Sequence, residues 1–227
     1  METFQIIIKY LICYSGFFIL SWLAKSNDGN KLFDDKGPVR NMGTLIGLQI
    51  GGILWLGLVP FFIFNKSLSD VVFGTTAPPL WLLTIFIILV AVVLFVSIRQ
   101  SKKDVAIMLE KGITSTLSNS SILRYNLARF IFLIVYEIFF RGFLLTDSIN
   151  EVGITLAITI NIALYVLIHI FSGKKEIIGC IPFGIALCGV SILFNAVWPA
   201  IVLHLALSFS YEISSLNRIN KTIKAVV

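Results

Sequence analysis

Seven uninterrupted apolar runs decide what this chain can fold into. They occupy residues 4–24, 44–64, 80–98, 122–140, 152–170, 177–193 and 198–215. Each is close to the roughly 20 helical residues that span the hydrocarbon core of a bilayer. Lipid offers no water to backbone amides, so a spanning segment must be a helix or part of a closed barrel. The short alternating strands of a barrel do not occur here, and several runs are apolar on every face, as lipid-exposed helices are. Composition agrees, with 57% hydrophobic and only 13% charged residues, where a soluble domain carries about 25% charged. The expected fold is all-α, a polytopic membrane helix bundle of about seven transmembrane helices. The first run contains Lys9 but leads into Ser-Trp-Leu-Ala-Lys, which is no small-x-small cleavage site, so it reads as a retained span.

Orientation follows from the basic residues, because positive loops stay in the cytoplasm. Loop 25–43 holds Lys25, Lys31, Lys36 and Arg40, and loop 99–121 holds Arg99, Lys102, Lys103 and Lys111. Lys174 and Lys175 lie in 171–176, and Arg218, Lys221 and Lys224 in the tail. The alternate loops, 65–79, 142–151 and 194–197, contain only Lys66, thirteen basic residues against one. An integral protein of a bacterial plasma membrane is expected, with its amino terminus outside and its carboxy terminus cytoplasmic. The net charge of +6 then reports topology and not nucleic-acid binding, and anionic membrane lipids are the expected partners of the basic loops.

The polar stretch 101–121, whose 104–111 part reads as a short interfacial helix, separates two halves. Residues 1–121 form a three-span scaffold with a basic loop, 122–215 a four-span core, and 216–227 a cytoplasmic tail. Intramembrane ionisable groups are costly and mark functional interiors. Only Lys9 lies in the first half, whereas Arg129, Glu137, Arg141, His169, His204 and Glu212 lie in the second. Glu137 and Arg141, at i and i+4, share a helix face. Asn161, Tyr165 and His169 repeat that spacing, as do His204, Ser208 and Glu212. Three such stripes on otherwise apolar helices point to one shared cavity. Taken singly, each has a plainer explanation. The Glu–Arg pair neutralises charge, Asn161 and Ser208 are interhelical glue, Tyr165 packs, and Glu212 is interfacial. Cys13, Cys180 and Cys188 have no metal-ligand spacing and read as small buried hydrophobes. No cofactor is implied. Two histidines and one glutamate without H-E-x-x-H are a thin ligand set for a metal.

The same residues carry a family resemblance. Y-E-I-F-F-R-G-F-L-L at 136–145 resembles the first motif of the CPBP intramembrane endopeptidases (CAAX proteases and bacteriocin-processing enzymes), E-E-x-x-x-R followed by G-F-L. Y-V-L-I-H at 165–169 is similar to the second motif, F-x-x-x-H, and W-P-A-I-V-L-H-L-A-L-S at 198–208 to the third, W-P-x-x-x-x-H-x-x-x-N. The resemblance covers about residues 122–212. It implies an endopeptidase that cuts a hydrophobic or lipidated peptide at the bilayer. In that pattern Glu137 and His169 activate a water, and His204 and Ser208 hold the oxyanion. Arg141, Tyr136 and Asn161 are supporting residues.

Two positions depart from the pattern. Tyr136 stands where the family has the glutamate usually credited as the base, and Ser208 stands for Asn or Asp. Either Glu137 takes over as base, or the chain is a catalytically impaired relative acting as a bacteriocin immunity or peptide-maturation partner. An unrelated transporter is the weakest alternative, since repeats and broken helices in matching halves are missing. His169 also falls nearer the inner end of its span than Glu137 and His204, a mismatch of about 10 Å at about 1.5 Å per residue.

The charge asymmetry predicts that a topology reporter fused after Val227 reads cytoplasmic and one inserted in 65–79 reads external. The opposite pair of signals would overturn the orientation.

Overall fold

The computed structural model describes residues 2–27, 29, 32–34, 37–64, 67–111 and 117–226. Lys31, Lys36 and Lys66 of the topology argument lie outside the described residues, as do 112–116 of the polar stretch and Val227. Five helices are long and apolar enough to cross a membrane: Gln5–Ser26, Leu80–Glu110, Ile154–Phe171, Lys174–Phe194 and Trp198–Thr222. They belong to α1 (Glu2–Ser26), α5 (Leu80–Glu110), α8 (Ile154–Ile168, continued by a 3-10 turn His169–Phe171), α9 (Lys174–Phe194) and α10 (Trp198–Val226).

The other two apolar runs are helical throughout but interrupted. One is α2 (Met42–Ile53), a π segment Leu54–Leu58 and α3 (Val59–Ile63). The other is α6 (Asn119–Glu137), a π segment Ile138–Leu145 and α7 (Thr146–Val152). The fold is thus the expected all-α membrane bundle. Among the described residues the only strands are the two-residue pair Phe33–Asp34 and Gly37–Pro38. Large apolar side chains such as Ile87, Phe95, Leu127 and Ile178 face outward, where a soluble protein would place polar groups.

Two loop expectations are corrected. Residues 104–111 do not form a separate interfacial helix, because α5 continues without a break to Glu110. Its polar end is held by α10 and the first turn of α9. Ser97 donates to the Leu207 carbonyl at 2.7 Å, Ser101 pairs with Ser215 at 2.9 Å, and Asp104 accepts from Tyr211 at 3.0 Å and pairs with Lys175. Interhelical hydrogen bonds of this kind tie helices together where apolar burial gives little preference.

Residues 142–151 are also helical. Gly142 does not break the helix: a Cβ there would lie 2.5 Å from Val71 and 3.2 Å from Val197, so glycine serves close packing. The turn comes at Gly153, whose φ of 81° suits glycine.

The loops sort to two ends. The short α4 (Leu68–Phe73) meets the turn after α9, where the Val197 amide donates to Val71 and Val72 carbonyls at 3.1 and 3.2 Å. At the other end Leu32, Phe33, Val105, Met108, Tyr125 and Ile219 share an apolar cluster. The loops expected on one side of the membrane therefore meet one another, as do those expected on the other.

Gly74 closes α4 with φ 73° and ψ 177°, and a Cβ there would approach the Asn195 carbonyl oxygen to 2.7 Å. Backbone in this region is essentially restricted to glycine. Gly74→Ala should destabilise the protein by about 1–3 kcal/mol. Gly47→Ala, where nothing lies within 4 Å, should leave stability level or raise it by about 0.5–1 kcal/mol. Thermal unfolding in detergent checks both.

Candidate active site

The site begins where α6 passes into its π segment. Glu137 is the last residue of α6, completely buried, and Arg141 follows one turn later. Arg141 Nη1 lies 3.3 Å from Glu137 Oε2, and His204 Nδ1 lies 2.5 Å from Glu137 Oε1. The guanidinium also stands 4.7 Å from the Tyr165 ring centroid. A carboxylate at this depth is tolerable only with such partners, because desolvation costs several kcal/mol per ion.

The wide π turn is fixed from two sides. Asn161 Nδ2 donates to the Phe140 carbonyl at 2.7 Å, and Thr146 Oγ1 donates to the Gly142 carbonyl at 2.7 Å. Asn161 therefore clamps backbone. π segments of this kind commonly occur at functional sites.

His169 opens the 3-10 turn after α8. Its Nδ1 is 2.8 Å from the Tyr165 carbonyl, which can only accept, so Nδ1 carries the proton and Nε2 keeps its lone pair. The Tyr165 ring lies 4.6 Å from His169 and 6.4 Å from His204. This turn and the shared tyrosine bridge the depth mismatch expected from helical rise.

Both histidines line one cavity of about 120 Å³, and Glu137 does not. The expectation that all three line it needs that correction. Glu137 reaches the space only through His204. Neighbouring helix residues point about 100° apart, and it is Tyr136 that takes the wall. Tyr136 is 2% exposed, its ring stacks on Phe140 at 4.5 Å and stands edge-on to His204 at 5.9 Å. Its hydroxyl has no hydrogen-bond partner.

Farther along the cavity a second polar group was only half visible in the sequence. Glu212 is buried in the protein, 7% exposed. It accepts from Tyr125 Oη at 2.7 Å and from Ser208 Oγ at 3.4 Å. Arg129 Nε donates to Ser208 Oγ at 3.2 Å and lies 3.9 Å from Glu212 Oε1. Ser208 is thus held by Arg129 and Glu212 and does not line the cavity. Arg129 precedes Tyr136 by seven residues, two helical turns, so the two share a face. That spacing is readable in the sequence but was not among the stripes identified there. Among the described residues no group of three His, Cys, Asp or Glu side chains could hold a metal ion.

Residues 119–210 match the family model described as Rce1-like, type II CAAX prenyl endopeptidase. Neither a curated protein nor a solved structure matches the chain. The matched segment runs from the start of α6 into α10 and includes Tyr136, Glu137, Arg141, His169, His204 and Ser208.

Arg141→Ala leaves Glu137 as a buried carboxylate facing one imidazole. Removing one member of a buried pair costs about 3–5 kcal/mol, so this variant should show a markedly lower melting temperature or yield. Unchanged stability would mean that the pair does not hold the fold.

Proposed function

Because residues 119–210 match the Rce1-like family of type II CAAX prenyl endopeptidases, we propose that this chain is an intramembrane endopeptidase that hydrolyses a peptide bond in a membrane-associated or lipidated peptide. The observation that carries the reading is the Glu137–His204 contact of 2.5 Å at the wall of a cavity that His169 also lines. A carboxylate accepting from Nδ1 fixes the imidazole tautomer and leaves Nε2 as the basic nitrogen. His204 then takes the proton of a water in the cavity, and Glu137 stabilises the resulting imidazolium. His169 Nε2 is a second acceptor that orients the same water. The water oxygen bonds to the scissile carbonyl carbon, and the proton held by His204 goes to the amine nitrogen as the C–N bond breaks, which completes hydrolysis. In this reading Glu137 is a positioning residue, and Ser208 acts by holding Arg129. The Arg129 guanidinium and the Tyr136 hydroxyl are the donors available to a developing oxyanion.

The basic loops support an orientation in which the Arg129–Glu212 end of the cavity faces the cytoplasm. The amino terminus is then outside a bacterial plasma membrane, and anionic lipid headgroups contact the loops.

A second reading rests on Tyr136. A phenol has an unperturbed pKa of about 10 and is a poor base at neutral pH. A relative with this residue on the cavity wall could hold a peptide without cutting it, as an immunity or maturation partner.

Cleavage of a prenylated peptide by the purified protein separates the two. His204→Ala, His169→Ala and Glu137→Gln should each lower turnover by about 10²–10⁴-fold, the usual contribution of general acid–base groups, with melting temperature preserved in His169→Ala. Wild-type cleavage that survives His204→Ala would refute the mechanism. Wild-type silence together with cleavage by Tyr136→Glu would establish the second reading.

A further inference from the structure

Gln49 is a polar side chain in the middle of α2, outside the segment that matches the protease family. It is 1% exposed, lines the same cavity as His169 and His204, and its Oε1 has no hydrogen-bond partner. A buried carboxamide oxygen without a partner is costly, and α2 is otherwise Met, Gly, Thr, Leu and Ile. Two more residues lining that space carry an unpartnered buried atom: Tyr136 its hydroxyl and Glu212 its Oε2. They come from α6 and α10, so three helices that line one cavity each carry a buried polar atom with no hydrogen-bond partner.

The set combines acceptors with donors. Glu212 Oε2 accepts, the Tyr136 hydroxyl donates, and a carboxamide does both. A purely anionic or purely cationic ligand would satisfy only part of it. A peptide main chain, which alternates N–H and C=O, satisfies all of it.

We propose that Gln49 positions the peptide substrate by hydrogen bonds from its carboxamide to one main-chain amide group. The inference rests on the endopeptidase reading for its ligand. It gives the amino-terminal helices a part in substrate binding beyond that of scaffold.

The test uses the full chain in lipid nanodiscs and a fluorescent decapeptide carrying a prenylated cysteine followed by three residues. Binding by anisotropy and hydrolysis are both measured. Gln49→Met keeps the side-chain length and removes the carboxamide, and Gln49→Leu is the second variant. Both should melt at or above the wild-type temperature, because an unpartnered buried polar group is removed. Peptide Kd and KM should rise about tenfold, as for a lost hydrogen bond, with kcat within about twofold.

A series of peptides with single amide-to-ester replacements near the cut site supplies the deciding readout. At one position the ester should weaken binding to wild type but have no further effect on Gln49→Met. A merely structural Gln49 cannot produce that coupling. Unchanged Kd and KM in both variants, or ester effects equal in wild type and variant at every position, would overturn the proposal while leaving the protease reading intact. Gln49-dependent binding without any hydrolysis would support the positioning role and remove the protease reading. Failure of wild type to bind the peptide would overturn both.

Discussion

The buried Glu137 carboxylate organises the centre of this bundle. It lies in α6, completely out of solvent, and accepts from a guanidinium one turn ahead and from an imidazole on α10. Neither partner could be removed without leaving a charge in a medium that cannot solvate it. The pairing therefore fixes the rotation of α6 and the approach of α10, and through Arg141 it anchors the π segment. Tyr165, under the guanidinium and beside both imidazoles, passes the constraint to α8. One carboxylate thus ties three helices together at the centre of the bundle.

The membrane class was legible because the hydrocarbon core imposes a length and a polarity that apolar runs display directly. The site was legible in part for the converse reason: an ionisable residue in such a run is conspicuous. His169, His204, Glu137 and Arg141 stand out on that ground alone. The detailed placement was not legible, because a helical repeat of i, i+4 gives a face without saying which neighbour covers it. Glu137 and Tyr136 are adjacent, and only packing reveals that the tyrosine forms the wall while the glutamate lies behind His204. Gln49 escaped notice because an amide carries no charge and a single polar residue in an apolar helix has several ordinary explanations. The π segment escaped because Gly142 after an arginine reads as the end of a helix, whereas the close approach of Val71 requires it inside one.

The two halves of the chain are less separate than composition suggests. Residues 1–121 carry none of the family motifs, yet α1 and α2 pack directly on α6. Trp55 Nε1 donates to the Cys13 carbonyl at 2.8 Å, and a Cβ on Gly52 would press on Phe132 at 2.4 Å. Tyr10 reaches Asp147 at 2.7 Å, and Tyr14 the Leu164 carbonyl at 2.9 Å. Helix α1 thereby braces both α7 and α8 across the motif-bearing half.

The fourth helical run is divided in its use. Tyr125, Arg129, Phe132, Leu133 and Tyr136 face the cavity, whereas Phe139, Phe140, Phe143, Leu144 and Leu145 are buried in aromatic and aliphatic packing. Phe64 stacks on Phe143 and on Tyr10 beyond that point. The cavity lining therefore stops at Tyr136 on this run, and aromatic packing begins within the next turn. One continuous helical run thus serves as both wall and packing, so a substitution up to Tyr136 acts on the cavity and one beyond it on the core.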